Sequence, residues 1–456
     1  MRETIHIFHT NDLHSHFEYW PRMQSYIRKQ RLLLGEKGEA SFLFDLGDHL
    51  DRSNLYTEAT VGKGNVQMLV DAEYDVVTIG NNEGITLEFK ELYHLYDRVP
   101  FDVVVANLYA KSGDNPAWLK PYTVLETAHG TTIGVVGATA AFETFYHALN
   151  WDITDARTAI MQQVEQLKGK VDIIVVMSHL GINDDELLAN DCPHIDVIFG
   201  SHTHHVLPEG KWVNGVLLTG GGKFGRYTGH LTLEFDHTLK ALVRREERLI
   251  ENEQLPAVHD EAEQLYALTK QAKSILSQEK IYINKTYTKE WFHDSPLAKL
   301  FAEAILAETG ADCAMFNAGI FLKDLRRGNV SRLEMHEIFP HPINLCVIEL
   351  SGAELKEIYK QAQNEEWPNL QLNGLGFRGI VFGKMLFYRM QQQHYEFKIN
   401  NEPLVADKTY RLVTLDLFTF GYFFPSFKYA KKEYYLPNFI RDIMLLYLER
   451  NIEGIY

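Results

Sequence analysis

The sequence predicts a two-domain α/β protein, and three observations carry that prediction. The chain has 456 residues, beyond the size at which a single hydrophobic core keeps growing. Its first half alternates short β-rich apolar runs with helical patterns, the signature of an α/β domain. Around 251–280 the texture turns polar and strongly helical before a second mixed region begins.

The expected strands of the first half are 5–9, 41–45, 75–79, 101–106, 132–136, 172–177, 196–199 and 216–219, all β-branched or aromatic runs. The stretch 251–280 reads as a connecting helix: Pro256 is tolerable at a helix start, Asp260 and Glu261 suit a first turn, and Leu265, Leu268, Ala272 and Ile275 keep helical spacing. Residues 1–250 thus form one expected domain, 251–280 a helical linker and 281–456 a second α/β domain. Strands at 346–350 and 410–415 and helices at 296–308 and 353–363 are expected there.

Composition narrows the function. Lys and Arg number 45 against 61 Asp and Glu, a net charge of −16, so the molecule's field repels nucleic-acid polymers and anionic membranes. The three cysteines, Cys192, Cys313 and Cys346, are far apart and form no C-x-x-C pair, which fits a reducing compartment. The opening M-R-E-T-I-H-I-F-H-T lacks the pattern of a signal peptide, and no run reaches the ~18 apolar residues that span a bilayer. A soluble, cytoplasmic protein is expected.

Five short clusters, each at the exit of an apolar run, supply seven metal-binding types of side chain: Asp12 and His14 in T-N-D-L-H-S-H, Asp48 in D-L-G-D-H, Asn81 in I-G-N-N-E, His179 in V-M-S-H-L-G, and His202 and His204 in G-S-H-T-H. In open α/β sheets, ligands collect beyond the carboxyl ends of strands, so residues distant in sequence can share one pocket. Carboxylate, imidazole and carboxamide donors without thiolate suit Mn, Zn, Fe or Mg. Two divalent ions roughly 3.5–4 Å apart clamp a phosphoryl oxygen and bring the pKa of a shared water toward neutrality, so that its hydroxide attacks phosphorus in line. Singly, each cluster is more often a turn cap or a solvated histidine; together, in this order, they point to a dinuclear site.

The order D-x-H, G-D, G-N-x-E, lone H, G-H-x-H resembles that of the calcineurin-like metallophosphoesterases. T-N-D-L-H-S-H, G-S-H-T-H and the C-terminal segments F-N-A-G-I, E-I-F-P-H-P-I-N-L-C-V-I-E-L-S-G-A-E-L-K and K-T-Y-R-L-V-T-L-D look like the bacterial 5′-nucleotidase and UDP-sugar hydrolase branch. The resemblance covers nearly the whole chain. It implies a four-layer α/β/β/α sandwich followed by a substrate-binding α/β domain that closes over a small phosphorylated substrate, with nucleotides leading. It also implies that Asp12, His14, Asp48 and His204 serve one ion, and Asp48, Asn81, His179 and His202 the other.

Several departures stand beside the resemblance. The family's third motif, G-N-H-E-F-D, reads Gly80-Asn81-Asn82-Glu83-Gly84-Ile85 here, so the imidazole that contacts the phosphoryl group is Asn82 and its carboxylate partner Ile85. A carboxamide donates a hydrogen bond but delivers no proton, and general acid catalysis is worth about 10²–10⁴ in rate. Either the leaving group needs little protonation, as in a phosphoanhydride or sugar phosphate, or another histidine substitutes, with His16, His49 and His147 as candidates; otherwise the site binds without hydrolysing. His16 and Asn82 are the expected catalytic contacts. In the second domain the family's arginine-bearing N-G-G-G-I-R turn is shortened to Asn317-Ala318-Gly319-Ile320-Phe321, and Leu372 and Leu417 stand where aromatics sandwich the base. Asn317, Arg378, Phe377 and Phe418 are the expected substrate contacts. The segment T-G-G-G-K-F-G-R, 219–226, has no Walker-type ending and reads as a turn beside the metal loop. The rivals are a non-hydrolytic metabolite sensor and a cyclic-nucleotide phosphodiesterase.

Overall fold

The computed structural model describes residues 2–372, 374 and 376–451. Two compact units emerge, Met1–Gln271 and Ala272–Tyr456.

Every strand expected in the first half is present, and they divide between two sheets. One sheet has the order Ala241–Glu251, Tyr227–Asp236, Arg2–Thr10, Ala40–Asp45, Val76–Val77, Asp102–Val104, Leu119–Lys120. The other runs Lys211–Val213, Val216–Gly220, Val197–Gly200, Ile173–His179, Thr132–Thr139, Tyr122–Glu126. The inner strands of both sheets are parallel, so their carboxyl ends lie along a common edge of each sheet.

Burial on both faces explains the near-continuous Val/Ile runs. Ile5, Ile7, Phe44 and Val76 of the first sheet meet Ile133, Val135, Val175, Val197 and Phe199 of the second in one core. On the outer face of the second sheet, Ala156, Ile160 and Val164 of helix Ala156–Leu167 and Leu188 of helix Ile182–Asp191 form another. Helix Trp20–Glu36 covers the first sheet through Trp20, Met23 and Ile27, which line a small hollow with Leu43. The expected four layers are therefore present.

The expected helix 251–280 is shorter than its polar composition implied. Residues Ala241–Glu251 still belong to a strand, and the helix runs Glu261–Leu276, leaving Pro256 outside it. The boundary between the two units falls inside this helix.

The second unit holds a five-stranded sheet in the order Met385–Tyr388, Cys313–Asn317, Thr409–Leu415, Asn344–Ser351, Lys432–Phe439. Helix Pro296–Thr309 starts where Ser295 accepts a hydrogen bond from Ala298 N–H and stops at Gly310, φ 60°. Ser351 and Glu354 form a capping box on helix Gly352–Gln361. Both helices match the expected ones within a residue or two and pack on a core that includes Phe301, Phe316, Leu355 and Val413.

Candidate metal centre

The five clusters leave their strands at the carboxyl ends: Asp12 two residues after Thr10, Asp48 three after Asp45, Asn81 four after Val77, His179 at the end of Ile173–His179, and His202 two after Gly200. Backbone hydrogen bonds zip the first two loops together. Asp12 N–H donates to Gly47 O at 3.0 Å, His14 N–H to Asp48 O at 2.8 Å and Ser15 N–H to His49 O at 2.9 Å. Asp12, His14, Asp48, His202 and His204 all have positive φ, between 47° and 71°. Each such non-glycine residue costs ~1–2 kcal/mol, and strain of this kind concentrates at functional sites, where the surroundings over-determine the backbone.

The strain aims the side chains inward to form two groups. In the first, Asp12 Oδ1 is 3.5 Å from His204 Nε2 and 3.8 Å from His14 Nε2, and the two imidazole nitrogens are 3.3 Å apart. The second comprises Asp48, His179 and His202. Asp48 reaches both: its Oδ2 lies 3.7 Å from His14 Nε2 and its Oδ1 3.5 Å from His179 Nε2. Within each group the potential ligand atoms all lie within 4.8 Å of one another.

Whether these residues fit a pair of cations is decided by their unused lone pairs. His179 Nδ1 lies 2.7 Å from the Leu46 carbonyl, which fixes the proton there and leaves Nε2, a buried atom without a hydrogen-bond partner, facing the site. Asn81 Oδ1 is likewise buried and unpartnered. Buried polar atoms are rarely left so, and both belong to the expected ligand set. Burial opposes charge on the His179 ring, yet Asp48 outweighs it and raises the pKa to about 10; a cation held there would take the place of that proton. The donor set fits two divalent ions.

Gly80 shows how tightly the loops converge. A Cβ there would stand 2.0 Å from Asp48 Oδ1 and 2.5 Å from His179 Cε1, so no side chain is admitted. Glu83, which the sequence reading did not single out as a site residue, clamps the same junction. Its Oε2 accepts from Asp48 N–H at 2.9 Å and Gly80 N–H at 2.8 Å, and its Oε1 from Leu50 N–H at 3.1 Å. Burial, then the charge of Asp48, pushes its carboxyl up to about 7. Its only signal in the sequence was the fixed place of a glutamate three residues after the Gly80 helix cap.

Asn82 is drawn into the metal site: its N–H donates to Asp48 Oδ1 at 2.7 Å and its carboxamide nitrogen lies 2.7 Å from His14 Nδ1. His16 sits at the rim, 43% exposed, paired with Glu18 at 3.6 Å and packed on Phe224 with ring centroids 3.9 Å apart. His49 is buried against Trp20, and burial lowers its pKa to about 3. His147 is half exposed and pairs with Asp152 at 3.5 Å. In the second unit Asn317, Phe377 and Phe418 are buried, with Phe377 stacked on His341 and Phe418 edge-on to Phe382. Arg378 is half-buried and its guanidinium donates to Phe377 O at 3.1 Å.

An α/β/β/α sandwich whose strand ends converge on two carboxylate-histidine groups sharing one aspartate defines the class of dinuclear metallophosphoesterases. Comparison with known proteins agrees. Residues 5–206 match the calcineurin-like phosphoesterase family and 273–428 the 5′-nucleotidase C-terminal domain family. The "Uncharacterized metallophosphoesterase YunD" of Bacillus subtilis (strain 168) is 39% identical over 97% of this chain and 99% of its own. Among solved structures, a putative 5′-nucleotidase from Staphylococcus aureus in complex with alpha-ketoglutarate superposes with a TM-score of 0.70 at 16% identity, covering 98% of this chain and 97% of that one. A 5′-nucleotidase precursor from Thermus thermophilus gives 0.61 at 20% identity, covering 98% and 96%. The chain belongs to the calcineurin-like metallophosphoesterases, in the branch related to bacterial 5′-nucleotidases and UDP-sugar hydrolases.

Proposed function

We propose that this metallophosphoesterase acts on small nucleotides and related metabolites whose leaving group departs without a proton, phosphoanhydrides before simple alkyl phosphates. The observation that carries the reading is Asn82, whose amide is engaged with His14 where the family places a phosphoryl-contacting imidazole. Asp12, His14, Asp48, Asn81, His179, His202 and His204 would hold the divalent cations, which would supply Lewis acidity toward the phosphoryl oxygens and a more acidic water; the nitrogen and oxygen donors favour Mn, Zn, Fe or Mg.

The chain's own residues do the rest. Asp48 holds the two ligand groups in register, Glu83 fixes the backbone on either side of it, and Asn82 orients the His14 ring. His16 is the imidazole at the rim, and we assign it contact with the phosphoryl group. Of the four expected substrate contacts in the second unit, Arg378 carries exposed surface and keeps that assignment. Three free, buried cysteines support a reducing compartment. Among the described residues no helix is long and apolar enough to cross a membrane.

The test is product formation, separated by chromatography, by Mn²⁺-loaded protein from ADP (AMP and phosphate), UDP-glucose (UMP and glucose 1-phosphate), AMP (adenosine and phosphate) and 2′,3′-cyclic AMP (a monoester). The reading expects turnover of the anhydrides at least tenfold above AMP. Faster AMP turnover overturns the substrate class, and monoester formation from the cyclic substrate alone makes the protein a cyclic phosphodiesterase. Tight binding without release from any substrate makes it a sensor, a reading that the missing imidazole also favours.

A further inference from the structure

The loop 219–226 is more than a turn beside the metal site. It leaves strand Val216–Gly220 of one sheet and enters Tyr227–Asp236 of the other, so both ends are anchored. Phe224 has a φ of 64°, a conformation a bulky residue adopts only under constraint. The constraint is visible: Phe224 N–H donates to the Asp12 carbonyl at 2.8 Å, and the Asn11 carboxamide accepts from Gly221 N–H and donates to Gly222 O. The ring is thereby turned to the metal-binding loop, edge-on to His14 with centroids 5.8 Å apart and against His16 at 3.9 Å.

Over that ring stands the ammonium of Lys223, 4.6 Å from its centroid. A cation-π contact orients the charge without neutralising it. Among the described residues Lys223 enters no salt bridge, although the chain carries 61 acidic residues. The two ring contacts put the ammonium within about 10 Å of the His14 ring, roughly one Debye length at 0.1 M salt. An unpaired, half-buried lysine held in place beside a phosphoryl-processing centre is placed for an anion.

We infer that Lys223, propped on Phe224, is a binding position for a second phosphate of the substrate, next to the phosphoryl group that reacts. This rests on the reading that the substrate is phosphorylated, and it names what selects among such substrates. The flexible four-carbon stem lets the ammonium follow a phosphate one P–O–P bridge away. As the bridge P–O bond breaks, its electron pair goes to the departing phosphate, whose added charge Lys223 offsets. The attacking water's hydroxyl becomes bonded to phosphorus and its other proton passes to solvent. This is help that a leaving group can use where Asn82 offers no proton.

The experiment is calorimetric binding of methylenediphosphonate and methylphosphonate, neither of them hydrolysable, to the Mn²⁺-loaded full-length protein. Wild type should prefer the diphosphonate. Lys223→Gln should cut that preference at least tenfold while leaving methylphosphonate affinity unchanged, and Lys223→Arg should keep most of it, with thermal melting confirming the fold of each. A Lys223→Gln preference equal to wild type, or an equal loss for both ligands, overturns the inference. Phosphate release from no substrate alongside the expected binding pattern would remove the hydrolytic reading and leave this subsite standing; hydrolysis without the Lys223 effect would do the reverse.

Discussion

The carboxamide of Asn82 lies 2.7 Å from Nδ1 of His14. The residue that replaces the family's imidazole has become a support for a metal ligand: it fixes the ring whose Nε2 faces Asp12, Asp48 and His204. Partners of this kind typically change metal affinity 10–100-fold when removed. Asn82→Ala should therefore weaken Mn²⁺ binding by about tenfold or more in a metal titration, with little change in melting temperature of the metal-free protein. Unchanged affinity would show that the contact orients nothing.

Restoring the family pair gives the complementary test. Asn82→His combined with Ile85→Asp should raise turnover of AMP, whose alcohol leaves poorly, by up to ~10². An activated aryl phosphate, which leaves without a proton, should gain little. Equal gains on both would mean that the pair acts through metal placement and supplies no proton.

Helix Asn81–Thr86, which presents Asn81 and Asn82, is wedged by Tyr146. A Cβ at Gly84 would stand 1.9 Å from the Tyr146 hydroxyl and 2.6 Å from its Cζ. The absence of a side chain at 84 is what admits the tyrosine, which is fully buried. Gly84→Ala should destabilise by ~1–3 kcal/mol through overpacking and weaken metal binding as Asn81 shifts. Tyr146→Leu in the same chain should recover part of both losses. Independent, additive effects of the two substitutions, read by thermal melting and metal titration, would sever the link.

Much of this was legible in the sequence, for a physical reason. Strands buried on both faces write themselves as Val/Ile runs, and ligands at their carboxyl ends follow directly, so the expected strand 172–177 and His179 just beyond it are legible together, and the strand Ile173–His179 extends to include that histidine. The strands Tyr227–Asp236 and Ala241–Glu251 lie beyond the last strand expected from the sequence, 216–219. The second carries Arg244, Arg245, Glu246, Glu247 and Arg248 in a row because it is a sheet edge guarded by charge. There Arg244 pairs across to Glu234 at 3.0 Å, while Glu247 turns inward to His9 at 3.0 Å. Glu83, the positive-φ ligands and the Tyr146 wedge arise where separate loops meet in space, which no local pattern encodes. The burial of Phe377 and Phe418 depends on packing against His341 and Phe382, equally invisible along the chain.

Away from the metals, Asp416 offers a pH test of the second unit. Burial raises its carboxyl to about 7, against the hydrogen bond it accepts from Asn344 N–H at 3.0 Å. The folded chain therefore holds this proton more tightly than the unfolded chain. The corresponding stability is complete below the ordinary carboxyl range, near pH 4, and is lost as pH rises toward 7, by at most ~4 kcal/mol. Asp416→Asn should flatten the decline in melting temperature between pH 5 and pH 8. A decline of the same size in the variant would assign it to other groups.

The central claim is that Asp48 ties two cation sites together, with one carboxylate oxygen facing each. The direct measurement is metal content by elemental analysis after dialysis from excess Mn²⁺ or Zn²⁺, on wild type and Asp48→Ala, with phosphatase activity followed in parallel. Two ions per wild-type chain, falling below one in Asp48→Ala with loss of turnover, is the predicted result. A wild type that retains no metal, or an Asp48→Ala variant with both ions and full turnover, would contradict the account.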